Sequence, residues 1–495
     1  MLDKVIANTN EYLEAIPKSE RKKYGQFFTS KETAEYMSGM FKGARLKGKV
    51  RCLDPGAGSG ILACALIRYL NGVDAVEEID FTCYENDIRI IDLLKENVEI
   101  CKKGSSKKVS FTVKAENYIT SQYLEFNDLL GAKESPEKYD LIIGNPPYLK
   151  IARDSIEASA MQGICYGAPN LYFLFAAMSM FNLVENGEMV YIVPRSWTSG
   201  AYFKSFREYF LSHGKLEHIH LFVSRNKVFE KENVLQETMI MKLKKTTSEP
   251  KEVLISSSVS NADFSNTSTI NVPYPLVVSG TDKYVYLTTT RDEIDVLNRV
   301  RKFPFTLPEI GLRMKTGLTV DFRNREELRD VKEDGAIPLF FSQHIQEGNV
   351  LFPINKTSEY IVTSQPGLIQ DNKNYLFVKR FTAKEERRRL QCGVYLAKSL
   401  PEYSKISTQN KINFIDGVET EISECLVYGL YVLFNSTLYD LYYRILNGST
   451  QVNSTEINTI PVPDLDTIQD MGRELIRKQD LSEEMCNLIM EEYCV

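Results

Sequence analysis

The sequence predicts an α/β fold in which a doubly wound parallel sheet is followed by a second, α+β domain. Four short apolar runs end in acidic or amide side chains; they lie at 51–54, 81–85, 109–117 and 139–145. Buried parallel strands have this pattern, and their carboxyl ends form the ligand-binding edge of an open sheet. A chain of 495 residues is also too long for one hydrophobic core, so we expect two or three domains.

The domain boundaries follow from a change in composition. Residues 246–280 are rich in serine and asparagine, which predicts a linker with a strand or two in it. We therefore expect a first domain at 1–245 and a second at 281–495. The second domain ends in an acidic helix pair at 465–495, to which the sequence assigns no chemistry.

The composition is that of an ordinary soluble globular protein, with 43% hydrophobic and 25% charged residues. The first residues lack the apolar core of a signal peptide, and the longest mostly apolar stretch, Leu171 to Val184, is typical of a buried helix. Nine cysteines without a Cys-x-x-Cys pair argue against disulfides and a zinc ribbon, and four scattered histidines predict no metal site. We expect a cytoplasmic protein without membrane contact. Its net charge of −6 leaves nucleic-acid binding to local cationic clusters.

The first candidate cofactor residues precede a helix. Residues 1–23 have the pattern of an amphipathic helix with a basic end, and Thr29 or Ser30 then provides an N-cap before an acidic first turn. Capping alone explains the threonine. Alternatively, Phe28 and Thr29 form a wall of a cofactor site, and the sequence leaves both roles open.

A glycine-rich turn follows the first strand. Asp54, Pro55, Gly56 and Gly58 lie between this strand and a helix, where glycines let the backbone approach a ligand and the helix start offers free N–H groups. The turn has neither the lysine of a phosphate-binding loop nor the Gly-x-Gly-x-x-Gly spacing. Asp54 would repel a pyrophosphate but attract a cationic amino-acid group. This favours S-adenosyl-L-methionine over a dinucleotide as the cofactor.

The next two strands end in residues suited to the rest of such a cofactor. Glu85 and Asn86 follow the second strand, at the distance where a carboxylate meets a ribose diol. Glu116 and Asn117 follow the third strand, where a polar side chain can bind an adenine amine. Each acid is weak evidence alone, but their recurrence at successive strand ends indicates one site.

The tetrapeptide Asn145-Pro146-Pro147-Tyr148 at the end of the fourth strand suits a planar amine. The prolines end the strand and fix the backbone, so the Asn145 side-chain oxygen and the Pro146 carbonyl can both act as acceptors. Two acceptors that hold both hydrogens of a ring-bound NH2 group turn its lone pair outward, and the nitrogen can then attack an electrophile. Tyr148 can stack on the ring. The alternative is an ordinary strand-to-loop turn.

Cationic and amide-rich segments favour DNA binding. Residues 371–390 contain seven Lys or Arg against three Asp or Glu, and such cations contact phosphates and guanine edges. A solvated charged helix is the alternative. The candidate DNA contacts are Arg195, Lys315, Lys379, Arg380, Arg387, Arg388, Arg389, Gln451 and Asn453. Trp197, beside the first of these, is a further candidate for contact with an extruded nucleotide, with burial as packing as the alternative.

In combination, these motifs resemble those of the N6-adenine-specific DNA methyltransferases of type II restriction–modification systems, in the gamma order of motifs. The resemblance covers residues 20–245 and implies a Rossmann-like methyltransferase sheet followed by a target-recognition domain. The family's cofactor motifs match Thr29, Asp54, Gly56, Gly58, Glu85 and either Glu116 or Asn117, and its catalytic motif matches Asn145 to Tyr148 without departure. Family members usually have Asp-Phe where this chain has Asn117-Tyr118, so the contact to the cofactor's adenine is open.

The resemblance implies one further catalytic residue and the partners. Phe229 matches an aromatic that packs on the second face of the target base, with packing of a hairpin as the alternative. The second half is similar to the PstI-like modification methylases. The resemblance thus implies a monomer that binds double-stranded DNA and functions with a separate restriction endonuclease.

The implied activity is methyl transfer from S-adenosyl-L-methionine to N6 of a flipped adenine in a specific duplex sequence. Methylation of adenine in structured RNA and of a protein glutamine amide use the same acceptor geometry. A large second domain with amide-rich loops argues against both. A non-catalytic DNA-recognition subunit is a further alternative, which the complete cofactor and catalytic motifs oppose.

Overall fold

The computed structural model describes residues 1–15, 29–129, 137–222, 238–259, 261, 264–383, 386–447 and 450–493. The chain forms two units. The first comprises Met1–Thr198 with Tyr202–Thr289, and the second comprises Ser199–Ala201 with Thr290–Val495.

The first unit is built on one mixed sheet. Its described strands are β1 (Gly48–Asp54), β2 (Val76–Tyr84), β3 (Lys108–Lys114), β4 (Tyr139–Gly144), β5 (Leu183–Pro194), β6 (Gly214–Phe222), β7 (Thr238–Lys245), β8 (Glu252–Ser258) and β9 (Ser268–Pro273). Their order across the sheet is β3-β2-β1-β4-β5-β7-β6-β8-β9. Strands β1 to β5 are parallel, and β7 is antiparallel to both β5 and β6. The predicted doubly wound α/β sheet is confirmed.

Helices connect these strands. They are α1 (Leu2–Ala15), α2 (Lys31–Gly39), α3 (Ile61–Asn71), α4 (Ile91–Gly104), α5 (Tyr118–Ser121), α6 (Tyr123–Phe126), α7 (Ile156–Ala160), α8 (Leu171–Asn182), α9 (Lys204–His213) and α10 (Tyr274–Val277). Apolar side chains of the central strands, such as Cys52 and Ile143, form one hydrophobic core with helix residues such as Leu66 and Leu94. The near-continuous apolar runs of the sequence are the interior strands of this sheet.

The segment predicted as a linker with a strand or two, 246–280, carries β8 and β9, which belong to the sheet of the first unit, and this unit extends to Thr289. Two of its serines, Ser256 and Ser258, are buried residues of β8. The Ser256 hydroxyl lies 2.9 Å from Nδ1 of His220, and the Ser258 hydroxyl lies 3.0 Å from Nε2 of the same ring. The composition suggested a linker because serine is typical of linkers. These serine hydroxyls can be buried in a strand because histidines on β6 form hydrogen bonds with them. A short pair, β10 (Val278–Ser279) and β11 (Tyr284–Val285), follows.

The second unit combines two smaller sheets with helices, as expected for an α+β domain. Its strands are β12 (Leu312–Thr316), β13 (Leu328–Arg329), β14 (Ile337–Phe340), β15 (Ile345–Gln346), β16 (Asn349–Val350), β17 (Tyr360–Ile361), β18 (Gln370–Asp371), β19 (Tyr375–Lys379), β20 (Cys392–Tyr395), β21 (Lys405–Thr408) and β22 (Ile412–Gly417). One sheet has the order β12-β22-β19-β20-β16-β15, and the other has the order β13-β17-β14-β21-β18.

The helices of the second unit include the predicted terminal pair. They are α11 (Arg291–Val300), α12 (Glu424–Asn435), α13 (Thr437–Leu446), α14 (Ser454–Ile457), α15 (Leu465–Lys478) and α16 (Glu483–Tyr493). Helices α12 and α15 meet through glycines: a Cβ added at Gly429 would lie 1.8 Å from the Ile468 carbonyl oxygen, and one at Gly472 would lie 1.8 Å from the Cys425 carbonyl oxygen. Only glycine permits backbones to approach this closely.

No helix among the described residues is long and apolar enough to cross a membrane. The apolar stretch from Leu171 to Val184 forms α8 and the first residues of β5. Most of α8 is buried, in keeping with its apolar composition.

Candidate active site

A cavity of about 680 Å³ lies at the carboxyl ends of β1 to β4. The predicted residues in its wall are Thr29, Pro55, Gly56, Gly58, Glu85, Asn86, Glu116, Asn117, Asn145 and Pro147. They come from distant parts of the sequence, and the parallel arrangement of adjacent strands brings their carboxyl ends to one edge. Two predicted residues, Phe28 and Phe229, lie outside the described part of the chain.

The glycine turn and Glu85 form one hydrogen-bonded unit in this wall. The Gly58 N–H donates to Oε2 of Glu85 (2.9 Å), and the Asp87 N–H donates to Oε1 (2.8 Å). Gly58 and Gly60 have φ angles of +53° and +84°, which side chains with a Cβ rarely adopt. Burial raises the pKa of the Glu85 carboxyl, although the backbone N–H groups oppose this shift. A carboxylate has about four acceptor positions, so Glu85 can still accept hydrogen bonds from a diol.

Asp54 is fully buried and does not contribute to the cavity wall. Its Oδ1 accepts a long hydrogen bond from the Gly56 N–H (3.4 Å), and its Oδ2 has no hydrogen-bond partner among the described residues. Burial raises the pKa of Asp54 to about 8. Pro55 and Gly56, the next two residues, do line the cavity. The unsatisfied Asp54 carboxyl beside them fits a cationic group bound at this turn, because a nearby positive charge favours the ionised carboxylate.

The Asn145 amide is held at both of its ends. Its Nδ2 donates to Oγ1 of Thr29 (3.1 Å), and its Oδ1 lies 3.0 Å from the Tyr148 hydroxyl. That hydroxyl also lies 3.1 Å from the Ile192 carbonyl oxygen, and its single proton is donated to one of the two oxygens at a time. Thr29 therefore contacts Asn145 of the predicted catalytic motif. The helix cap of α2 is Ser30, whose side chain accepts from the Thr33 N–H.

The arrangement leaves room for the predicted acceptor chemistry. The amide oxygen of Asn145 is an acceptor with two lone pairs, the type of group that an amine hydrogen needs. Pro146 is buried and has no N–H, while Pro147 lines the cavity. Burial raises the pKa of Tyr148 well above its ordinary value, so the phenol stays protonated at neutral pH. Stacking of Tyr148 on a base stays a prediction.

Trp197 packs in the interior of the protein and is not a surface residue. It is fully buried, and its indole ring meets Phe206 and Phe210 edge to face, with centroid distances of 5.7 and 5.8 Å. Arg195, two residues earlier, is half-buried. Of the two alternatives for Trp197, the structure therefore supports burial.

Arg389 cannot make the DNA contact that its sequence context suggested. It is 1% exposed, and its guanidinium donates to the Thr382 carbonyl oxygen (2.7 Å) and to Oδ1 of Asn447 (3.3 Å). Arg388 is 13% exposed and forms an ion pair with Glu483 (2.9 Å). The basic run at 387–389 thus passes from the surface at Arg387 to the interior at Arg389, and its last arginine is a structural residue.

The other cationic candidates of the second unit remain at or near the surface. Arg387 is 79% exposed and lies 3.0 Å from Glu483. Lys315 forms an ion pair with Asp416 (2.7 Å), and Arg380 donates to the Asn410 carbonyl oxygen (2.9 Å). The half-buried Lys379 lines a second cavity with Arg387. Their contact with DNA stays a prediction.

The amide-rich turn is partly committed to internal contacts. Nδ2 of Asn453 donates to Oε1 of Glu456 (3.2 Å), a fully buried carboxyl whose pKa is raised by burial. Gln451 is half-buried, and its backbone carbonyl oxygen accepts from the Tyr443 hydroxyl (3.2 Å). A role for Asn453 in base recognition would therefore compete with its bond to Glu456.

Sequence reasoning missed several residues of the cavity wall. Ile88 is 80% exposed, unusual for an isoleucine, and Glu157 and Phe175 reach the cavity from segments beyond the catalytic turn. Ile88 could have been predicted to line the cavity, because it lies only three residues after Glu85 at the end of β2. Nothing in the sequence around Glu157 indicated its place.

An open sheet with a cavity over a glycine turn, and with Asn-Pro-Pro-Tyr at the end of its fourth strand, defines a methyltransferase of the α/β class. The family model of the Eco57I restriction-modification methylases matches residues 65–229. The type II methyltransferase M.PstI of Providencia stuartii is 33% identical over 470 residues, which cover 92% of this chain and 90% of that protein. M.BsuBI of Bacillus subtilis is 32% identical over 462 residues, which cover 91% and 90%.

The chain belongs to the type II methyltransferases of restriction–modification systems, the family of these two relatives. Among solved structures, the type IIG restriction endonuclease BpuSI aligns with 91% of this chain and 60% of its own, at 14% identity and a TM-score of 0.44.

Proposed function

We propose that this chain transfers the methyl group of S-adenosyl-L-methionine to N6 of an adenine within a specific sequence of double-stranded DNA. The modification protects the DNA from a separate, cognate restriction endonuclease. The observation that carries the proposal is the Asn145 amide, fixed by Thr29 and Tyr148 at the wall of the cavity that also contains the glycine turn and Glu85.

The cofactor residues follow from the geometry of the wall. Glu85, itself held by the Gly58 and Asp87 N–H groups, would bind the ribose hydroxyls. The glycine turn beside the unsatisfied Asp54 carboxyl would accommodate the cationic amino-acid end. When bound, S-adenosyl-L-methionine supplies an electrophilic methyl group on a sulfonium.

The catalytic motif would orient the target amine. Oδ1 of Asn145 and the Pro146 carbonyl accept the two hydrogens of the adenine amine, which directs its lone pair towards the methyl group. The amine held by these acceptors would take the methyl group from the sulfonium, and the methylated amine would then lose its extra proton to solvent, so the site would need no strong general base. The acceleration arises from orientation and exclusion of water. The base reaches the site by flipping out of the duplex, between Tyr148 and Phe229.

Methylation of RNA or of a glutamine amide would use the same acceptors. The similarity to two type II methyltransferases argues against these alternatives, because the alignments cover about nine-tenths of each relative. The second unit, with exposed cations such as Arg387, supplies a surface for a duplex. We also propose that the protein acts in the cytoplasm as a monomer.

Sequencing with detection of modified bases tests the proposal. Cells that lack adenine methylation would express the wild-type chain or the Asn145→Ala variant. We expect N6-methyladenine at nearly every copy of one motif with the wild type and none with the variant. An unmodified genome, despite soluble wild-type protein that binds S-adenosyl-L-methionine, would contradict the DNA substrate and favour the RNA or glutamine alternatives.

A further inference from the structure

Glu157 reaches the cavity from a loop after the catalytic motif. The ends of this loop, 150–170, are tied by the Ile151 N–H, which donates to the Pro169 carbonyl oxygen (2.8 Å), and by the Leu171 N–H, which donates to the Leu149 carbonyl oxygen (2.9 Å). Within the loop, Glu157 is the second residue of the short helix α7 and is half-buried in the cavity wall.

Asn117, one of the two residues after β3 that match the family's adenine-binding position, has both lone pairs of its side-chain oxygen in use. Its Oδ1 accepts from the N–H groups of Ile119 (3.0 Å) and Thr120 (3.1 Å), which caps α5. An amide oxygen has two lone pairs, so both are used. Its Nδ2 donates to Oε1 of Glu157 (2.8 Å). Asn117 therefore acts as a helix cap and as an anchor for Glu157.

Glu157 has acceptor capacity that Asn117 lacks. A carboxylate offers about four acceptor positions, and the bond from Asn117 is the one hydrogen bond to Glu157 that the described residues show. The Asn117 bond also fixes the direction of the carboxylate, so that it is an oriented acceptor in the wall of the cavity.

The position of Glu157 along the cavity matches the far end of the cofactor. The strand order places the end of β4 beside that of β1, followed by β2 and β3. With S-adenosyl-L-methionine bound as proposed, the reactive methyl group would lie near Asn145 at β4 and the ribose near Glu85 at β2. The adenine would then lie at the β3 end, where Asn117 and Glu157 meet. The exposed Ile88, from the segment after β2, is a further apolar residue of the same cavity wall.

We propose that Glu157 accepts the hydrogen bond from the exocyclic amine of the cofactor's adenine, in place of the residue after β3. The inference rests on the proposed use of S-adenosyl-L-methionine. It assigns a specificity-determining contact to the 150–170 loop, so that the loop after the catalytic motif also selects the cofactor.

Calorimetric binding of two ligands tests this assignment. S-adenosylhomocysteine carries the amine, and S-inosylhomocysteine carries a carbonyl oxygen at the same position. A bond from the amine to a carboxylate corresponds to about a 10-fold to 100-fold difference in affinity. We therefore expect the full-length wild type to bind S-adenosylhomocysteine at least about 10-fold more tightly.

The Glu157→Gln variant should lose this preference. The Asn117 Nδ2 donor needs the oxygen of a glutamine at this position, so the glutamine NH2 group takes the place of the second carboxylate oxygen. That NH2 group would meet the adenine amine donor to donor, whereas it can donate to the carbonyl of S-inosylhomocysteine. S-adenosylhomocysteine should bind about 10-fold more weakly, with S-inosylhomocysteine changed less than about 2-fold or improved. Asp154→Asn, an exposed residue of the same loop that lies outside the cavity wall, is the matched control and should keep the wild-type preference.

The outcomes separate this inference from the proposed function. If the wild type binds S-adenosylhomocysteine and Glu157→Gln keeps the wild-type preference at an unchanged melting temperature, Glu157 does not bind the amine and the inference alone is wrong. If the wild type binds neither ligand, the proposed cofactor is wrong, and the inference is overturned with it.

Discussion

At the end of β4, the amide of Asn145 is fixed by Thr29 on its nitrogen and by Tyr148 on its oxygen. This orientation matters because an amide that rotated by 180° would present a donor, not an acceptor, to the target amine. The two neighbours thus set the chemical polarity of the site before a substrate binds.

Replacement of Asn145 by alanine should therefore separate catalysis from binding. We expect methyl transfer to fall at least about 100-fold, a typical loss for one preorganised hydrogen-bonding group, with DNA affinity within about 3-fold of the wild type. Transfer of tritium from labelled S-adenosyl-L-methionine and gel-shift titration measure the two quantities. An equal loss of both, with a lower melting temperature, would show that Asn145 is structural.

Asp54 should make stability dependent on pH in an unusual direction. Burial raises the pKa of this carboxyl to about 8, from an ordinary 3.8 in the unfolded chain. A group with a raised folded pKa contributes stability that is complete below the unfolded pKa and is lost as the pH rises through the folded pKa. The free energy of unfolding should thus decrease by up to about 1.4 kcal/mol per pH unit on the way to pH 8.

The Asp54→Asn variant isolates this contribution, because an amide does not ionise. In urea titrations of the ligand-free protein from pH 6 to pH 9, the free energy of unfolding of the variant should fall less steeply towards pH 8 than that of the wild type. Identical pH profiles would mean that Asp54 is ionised throughout this range.

At the scale of elements, the crossing of α12 and α15 depends on two glycines. A Cβ at Gly429 or Gly472 would collide with a backbone carbonyl, at 1.8 Å in each case. Backbone atoms cannot yield as a flexible side chain can, so the helices would have to separate. Each Gly→Ala substitution should destabilise the protein by roughly 1–3 kcal/mol, the range for overpacking.

Thermal unfolding measures this effect against a matched control. Gly39, the last residue of α2, has no atom within 4 Å of an added Cβ, so Gly39→Ala should be neutral or stabilising by up to about 1 kcal/mol. Equal melting temperatures for Gly472→Ala and the wild type would show that α12 and α15 separate at little cost.

The elements also show what could be predicted from sequence. Strand ends such as Asp54, Glu85 and Asn145 were recognisable because an apolar run followed by a polar turn is a local pattern. A strand or two was expected in the serine-rich segment, but the place of β8 in the main sheet was not, because its contact with His220 of β6 involves residues distant in the sequence. The place of Glu157 in the cavity wall depends on a bond from Asn117, 40 residues earlier, and no local pattern encodes such a contact.

At the scale of the whole molecule, an acidic chain of net charge −6 has to bind a polyanion through selected surface cations. The structure shows which of the candidate cations are exposed enough to contact DNA. In the run of arginines at 387–389, Arg387 is 79% exposed, whereas Arg389 is 1% exposed and bonded to Thr382 and Asn447. Replacement of Arg387 should therefore reduce DNA affinity, whereas replacement of Arg389 should reduce stability.

Arg387→Ala should weaken DNA binding without unfolding the protein. Loss of one phosphate contact makes the slope of log K against log salt less negative by about 0.9, and a titration of DNA affinity between 50 and 300 mM salt measures it. Arg473→Ala removes another exposed, ion-paired arginine and should leave the slope unchanged. Arg389→Ala should instead lower the melting temperature, because it leaves the Thr382 carbonyl without this donor. An unchanged slope for Arg387→Ala would place this surface away from the DNA and would direct the search to Lys315 and Arg380.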